Sequence, residues 1–367
     1  MFENKNKIPF VTGINCIAEN SALLRTFGKK CLIVTGASSA KACGALDDVT
    51  AALESEGIRY AVYSRIGQNP LLSDCFRGGE KAREEKAEFL IGIGGGSPMD
   101  ACKAISLYAS NPGLTPRDIY RLQYDKEGLP FVLVGTTAGT GSEATAVSVL
   151  TADETNMKKS IKCADTYADL VFADPKYTYT LPWDITVSTA LDAFSHAVEA
   201  FLSPLADDTV FSAAEKALPI LFAALKALNR GELPDQERRN AVFSAAIYAG
   251  MAIDVCGTAF PHAFGYILTE SWGIPHGKAC TAFLPALVRH TMDTCPDRTQ
   301  ALFQILNCDF QMFREPVEAL TGCVVKMTRQ EISSYMPRFA MCKNFENVQG
   351  GYCAARAEEL FKALFLN

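Results

Sequence analysis

Four short apolar runs in the first part of this chain constrain its fold more than any other feature. They are Cys31-Leu-Ile-Val-Thr35, the stretch from Arg59 to Ser64, Phe89-Leu-Ile-Gly-Ile93, and Phe131-Val-Leu-Val134. Between them lie stretches long enough for helices. One runs to Glu56 with Gly57 as its C-cap, one spans the charged residues 77–88, and one reaches to about Ala109. Short apolar runs bounded by glycine read as buried strands, and strands alternating with helices read as βαβ units. The expectation is a parallel sheet with right-handed crossovers.

Two glycine-rich turns follow two of these strands. Gly92-Ile-Gly94-Gly95-Gly96-Ser97 ends the third run and opens a helix, and Thr136-Thr-Ala-Gly-Thr-Gly-Ser-Glu143 follows the fourth. Small residues there let a diphosphate approach backbone N–H groups and the positive end of a helix. The first turn alone reads equally well as a tight connection with no ligand. Two such turns at one sheet edge point to a dinucleotide site.

The second half has a different pattern. Asp174-Pro175 through Leu181-Pro182-Trp183 forms a proline-punctuated joint, after which no strand alternation recurs. Phe211, Ala214, Leu218, Leu221, Leu225 and Leu228 mark one helical stripe, with a kink expected near residues 215–219 at Pro219. Residues 235–254 give another helix, with Val242, Ala246 and Gly250 along one side. The expected organisation is an α/β dinucleotide-binding domain over 1–183 and an all-helical domain over 184–367.

Composition narrows the partners. At 49% hydrophobic and 21% charged residues, 367 residues are ample for buried cores. A net charge of −6 without a lysine-arginine block argues against nucleic acid and anionic membranes. No apolar run approaches the ~20 residues of a membrane span. The start MFENKNKIPF lacks the apolar core of a signal peptide. Thirteen cysteines, an odd number without CxxC spacing, read as reduced thiols of a cytoplasmic protein.

Three of the four histidines fall between Asp192 and His276, in Asp192-Ala-Phe-Ser-His196, Pro261-His262 and Pro275-His276-Gly277. Asp192 and His196 share one helical face. His262 is expected just before a helix and His276 just after it. One carboxylate with imidazoles suits iron(II) or zinc, and less often manganese or nickel. The plainer reading is a surface Asp–His hydrogen bond. His290 reads as structural or as a pocket edge, and Phe260, Phe264 and Trp272 as core packing or pocket wall.

These motifs together resemble the iron-containing (group III) alcohol dehydrogenase family. GGGSPMD at 94–100, TTAGTGSEAT at 136–145, the ADP…LP joint at 173–182, DAFSHAVEA at 192–200 and HAFG…PHG at 262–277 occur in the family's order, over about residues 8 to 290. The resemblance implies a metal-dependent oxidoreductase passing hydride between NAD(P)(H) and a small alcohol or aldehyde, in a family that often forms homodimers. It places Asp192, His196, His262 and His276 as metal ligands for Fe2+ or Zn2+. It places Gly94, Gly95, Gly96, Ser97 and Asp100 in the pyrophosphate loop, with Thr136, Thr137, Thr140 and Ser142 lining the nucleotide. Lys158, or its neighbour Lys159, falls near the cofactor.

Two departures matter. Tyr266 stands where many members carry a second histidine, which puts a proton-relay role in doubt. Gly36 stands where many NAD-linked members carry an aspartate, within Thr35-Gly36-Ala-Ser38-Ser39-Ala-Lys41. That turn looks like the NADP-linked branch, so NADP(H) is expected over NAD(H). Ser38 or Ser39 capping the next helix is the plainer reading of its hydroxyls. A polyol (glycerol-type) dehydrogenase or a dehydroquinate-synthase-like enzyme of the same fold is the alternative, and a catalytically inactive nucleotide binder the third reading.

Overall fold

The apolar runs assemble into a six-stranded parallel sheet in the computed structural model, which describes residues 8–322 and 324–366. Its strands are β1 (Phe10–Thr12), β2 (Lys30–Thr35), β3 (Arg59–Tyr63), β4 (Phe89–Gly94), β5 (Phe131–Gly135) and, after an antiparallel hairpin of β6 (Ser148–Thr151) and β7 (Lys158–Ile161), β8 (Leu170–Ala173). The order across the sheet is β1-β8-β5-β4-β2-β3. β4 and β5 pair in register from Leu90↔Phe131 to Gly94↔Gly135, so their glycine turns leave the sheet side by side. The four expected strands are all present. β1 and β8 add to them, and both are too short for a period to declare itself.

Helices α1 (Cys16–Glu19), α2 (Ser39–Ala42), α3 (Ala45–Ser55), α4 (Leu72–Glu85) and α5 (Gly96–Ser110) accompany the sheet. α5 is buried on every side from Pro98 to Ala109, its polar Asp100, Lys103 and Ser106 included. Its one lysine, Lys103, is fully buried and donates to Ser142 O and Oγ, both at 2.8 Å, and to Val147 O at 2.7 Å. Three donors meet three acceptors, which is how an ammonium tolerates such a place.

The chain divides into two compact units, one formed by the residues up to Pro182 with Asp235–Gly250, the other by Trp183–Pro234 and the residues from Met251. The second unit contains α6 (Trp183–Leu202) and α7 (Asp208–Asn229), and α8 (Gln236–Cys256) straddles the division. In the first unit Arg239 of α8 donates to Thr178 O at 2.7 Å, and Tyr179 donates to Asn240 Oδ1 at 2.8 Å. The helix expected over 235–254 is therefore real, and its first part packs with the sheet. Pro219 lies inside α7 without ending it.

The second unit continues with α9 (Phe260–Trp272), α10 (His276–Thr281), α11 (Leu284–Thr294), α12 (Pro296–Leu306), α13 (Phe310–Thr321), α14 (Arg329–Ser334), α15 (Met336–Ala340) and α16 (Ala354–Phe365). Phe260 and Phe264 are buried, and Phe264 touches the rings of Phe283, Phe339, Phe345 and Phe361. They are core residues, and the segment after residue 300 exists in part to cover α9. No single helix among the described residues is long and apolar enough to cross a membrane.

Candidate active site

α6 presents Asp192, Ser195, His196 and Glu199 in a window where nearly every residue is buried. His262 sits in the first turn of α9 and His276 opens α10. The expectation that His262 precedes the helix is corrected by one turn: Pro261 is tolerated inside the start because its missing N–H is not needed there. α10 packs against both α6 and α9. Gly277 makes this possible, because a β-carbon there would collide with the Ser188 carbonyl of α6.

The donor atoms converge. His262 Nε2 lies 3.5 Å and His276 Nε2 3.8 Å from Asp192 Oδ1, with His196 Nε2 at 4.0 Å. The His196 ring stacks on His262 at 4.5 Å. Asp192 Oδ1 and His262 Nε2 are buried and make no hydrogen bond. Burial pushes the Asp192 carboxyl up, but the imidazoles of His196, His276 and His262 outweigh it and hold the group well below the usual carboxylate range. Orphaned lone pairs from a carboxylate and an imidazole, aimed at one point, fit a divalent metal.

Two residues that the sequence reading left without a role complete the cluster. Glu199 Oε1 accepts from His262 Nδ1 and from Ser195 Oγ, both at 2.6 Å, while its Oε2 accepts from Ala259 N at 2.8 Å. A carboxylate behind a ligating histidine fixes its tautomer and turns the other nitrogen outward. The signal was available: Glu199 follows Asp192 by seven and His196 by three, on one helical face. The other residue is Cys280. The donor atoms of Asp192, His262, His276 and Cys280 all lie within 4.8 Å of one another. Tyr266 stacks its ring on His276 at 5.5 Å. His290 is structural: Nε2 meets Gln349 O at 3.0 Å, and its ring sits edge-on to Tyr352.

In the first unit the two glycine turns are pressed together. A β-carbon on Gly95 would stand 3.0 Å from Thr137 Oγ1, and one on Gly96 would stand 2.8 Å from Thr140 Cγ2. Thr136 N donates to Gly94 O at 2.9 Å. Gly141, at φ +58°, lies against Gly250 of α8, where either β-carbon would meet the other backbone at 2.6 Å. Asp100 braces the loops from beneath, accepting from Ser142 Oγ at 2.5 Å and from Val149 N at 2.9 Å. Ser142 is thereby committed to Asp100 and Lys103, and Ser97 Oγ accepts from Asn69 N at 3.1 Å. Lys158 and Lys159 lie on β7, and Lys159 stands 4.5 Å over the Tyr120 ring. At the end of β2, Ser38 stands at the N-cap of α2 and makes no capping hydrogen bond through its side chain. Lys41 pairs with Asp47 at the surface.

Glu143 ends the second turn, buried, with Oε2 lacking a hydrogen-bond partner. Burial pushes its carboxyl up to about 7 from an ordinary 4.5. Below pH 4.5 both folded and unfolded chains carry this proton. Between pH 4.5 and 7 only the folded chain keeps it, so folding stability falls as pH rises, by about 3 kcal/mol in all. Glu143→Gln is expected to remove that component. Denaturation midpoints of the two proteins at pH 5 and pH 8 measure it, and parallel pH profiles would refute it.

Two family models match the chain. The family model described as iron-containing alcohol dehydrogenase matches residues 9–175, and that of the Fe-containing alcohol dehydrogenase family, C-terminal, matches residues 186–334. The chain is 34% identical over 320 residues to alcohol dehydrogenase 4 of Schizosaccharomyces pombe, covering 86% of this chain and 75% of that one. It is 27% identical to an NADPH-dependent butanol dehydrogenase of Clostridium saccharobutylicum, covering 83% and 78%. Among solved structures, an iron-containing alcohol dehydrogenase of Thermotoga maritima superposes with a TM-score of 0.90 at 30% identity, covering 100% and 99%. A sulfoacetaldehyde reductase from Bifidobacterium kashiwanohense, in complex with NAD+, does so at 0.88 and 25%, covering 99% and 98%.

Proposed function

We infer the workings of this site from one premise: the chain belongs to the iron-containing alcohol dehydrogenase family. It is an oxidoreductase that transfers hydride between a nicotinamide dinucleotide and an alcohol or aldehyde. Asp192, His262 and His276, with His196 beside them, are the residues we assign to its divalent metal. The carrying observation is that two buried, unpaired donor atoms, Asp192 Oδ1 and His262 Nε2, face each other at 3.5 Å. When bound, the ion supplies Lewis acidity to the substrate oxygen. The chain's own residues prepare that place. Glu199 keeps the proton of His262 on Nδ1 and so leaves the Nε2 lone pair free. The apolar surroundings of α6 keep water from competing for these donors.

The turns at Gly94–Ser97 and Thr136–Ser142 are the nucleotide cradle in this reading. The glycines leave backbone N–H groups uncovered at the start of the fifteen-residue α5. The names of the relatives carry both NADPH and NAD+, so the choice between them falls to the residues after β2. A carboxylate there would accept hydrogen bonds from the ribose and repel a 2′-phosphate. Gly36 removes that repulsion, and Ser38, Ser39 and Lys41 supply donors and positive charge. The Lys41–Asp47 pair is exposed on both sides and is therefore weak enough for a phosphate to displace. NADP(H) is the favoured cofactor.

One charge-assisted contact is worth roughly 1.5–3 kcal/mol, so a preference of about 10- to 100-fold in kcat/KM is expected with NADPH. Rates on a panel of aldehydes and alcohols, with each cofactor and with iron or zinc added, measure it. Gly36→Asp should move the preference toward NAD(H). A β-carbon at that position would lie 3.4 Å from Ile66 O and 3.7 Å from Ser39 Oγ, so the fold has room for the variant. Equal efficiency with both cofactors, or a preference that Gly36→Asp leaves unmoved, overturns this assignment.

A further inference from the structure

We propose that Arg65 is the residue that grips the 2′-phosphate of NADP(H) in this chain. The inference rests on the NADP(H) reading above and adds to it a contact from the loop after β3, whereas Gly36, Ser38, Ser39 and Lys41 all follow β2. β2 pairs in parallel with β3 on one side and β4 on the other, so the carboxyl ends of all three strands meet one edge of the sheet. Nucleotides of open α/β sheets lie outside that edge. The Gly94–Ser97 turn leaves β4 and Gly36 leaves β2. Arg65 leaves β3 one strand spacing further on, about 4.8 Å away.

The loop is pinned at this place. Ile66 N donates to Thr35 O at 3.3 Å, and a β-carbon on Gly36 would stand 3.4 Å from Ile66 O. Ile66 is buried, while Arg65 beside it is exposed. Among the described residues, no hydrogen bond or ion pair engages the Arg65 guanidinium. Other cations of the region are committed. Arg77 of α4 lies 2.6 Å from Asp74, Lys81 lies 2.7 Å from Glu85, and Lys41 is shared with Asp47. Glu80 and Glu84 line the same groove as Arg65. However, α4 runs back from the carboxyl edge toward the start of β4, and these two residues come eight and twelve positions after Leu72. They therefore stand about 12 and 18 Å along the helix, further than the screening length of about 8 Å at physiological salt.

A guanidinium suits this task better than an ammonium. Its fixed fork offers two parallel N–H donors to one phosphate, whereas a lysine acts as a point charge. An exposed arginine without a partner also has no ion pair to break before it turns to the ligand. Gly36 and Arg65 then do different things: Gly36 leaves the 2′ position open, and Arg65 supplies the attraction there.

Adenosine 2′,5′-bisphosphate and adenosine 5′-monophosphate differ only in the 2′-phosphate, and their binding to the intact protein, measured by calorimetry, tests this without relying on turnover. The wild-type protein is expected to bind the bisphosphate about 10- to 100-fold more tightly, the scale of a charge-assisted contact. Arg65→Ala should lose about 10-fold or more in affinity for the bisphosphate. Its affinity for the monophosphate should stay within about 2-fold of the parent, as for an exposed side chain that touches nothing. Arg65→Lys should recover part of the loss, since it restores the charge without the fork. Arg59→Ala, at the other end of β3, is the control and should change neither affinity. An Arg65→Ala protein that keeps the wild-type gap, or that weakens for both ligands equally, overturns the Arg65 assignment and leaves the NADP(H) reading standing. Equal affinity of the wild-type protein for the two ligands overturns both.

Discussion

Replacing His276 or His262 with alanine is expected to abolish metal binding and to lower turnover by about 1000-fold or more, with the fold intact. The size follows from the several kcal/mol that a Lewis acid contributes to the developing charge on oxygen. The two variants differ in what else they disturb. The His276 side chain is partly exposed, at 27%, so its removal costs little beyond the ligand. His262 is buried and holds Glu199, whose Oε1 would be left with Ser195 Oγ alone. His262→Ala should therefore also lose about 1–3 kcal/mol of stability. Metal analysis, circular dichroism and initial rates on the two proteins check this. Full activity in a variant with no bound metal would sink the assignment.

The two halves of the chain were unequally legible in the sequence. β2, β4 and β5 are buried on both faces and read as unbroken apolar runs bounded by glycine, so their positions followed directly from residue type. β8, Leu170-Val-Phe-Ala173, is as buried as these but only four residues long, too short to separate from a turn beside Asp174-Pro175. The β6–β7 hairpin carries Lys158-Lys-Ser160, which resembles solvent-facing loop, because β7 is half exposed.

In the site, Asp192 and His196 were visible as a helical pair. Glu199 shares that helical face by its spacing, but its pairing with His262 depends on α9 returning His262 to the same face of α6, a tertiary fact. Cys280 was hidden for a related reason. Among thirteen scattered thiols nothing local distinguishes the one that α10 carries beside His276. Asp100 is a different case. The motif groups it with the pyrophosphate loop, while the structure places it on α5 with its carboxylate turned inward onto Ser142 and Val149. It holds the two turns in shape from below.

Gly277→Ala is expected to weaken metal binding, although Gly277 donates nothing. The added β-carbon would collide with the Ser188 carbonyl and lie 3.0 Å from the β-carbon of Asp192. The first obstacle is helix backbone, which cannot swing aside as the end of a long side chain can. Relief must come from α10 withdrawing from α6. His276 rides on α10, so its donor atom would retreat from Asp192 with the helix, and metal centres tolerate errors of only about 0.2 Å in ligand position. The expected result is about 1–3 kcal/mol of overpacking strain with metal affinity lowered by about 10- to 100-fold. Gly113→Ala is the matched control, since a β-carbon there meets nothing within 4 Å, and it should stay within about 0.5 kcal/mol of the parent. Thermal midpoints of the metal-free and metal-loaded proteins separate the two effects. Strain lowers both midpoints in Gly277→Ala, and weakened binding shrinks the gap between them. An unchanged gap would mean that the contact between α10 and α6 does not set the geometry of the centre.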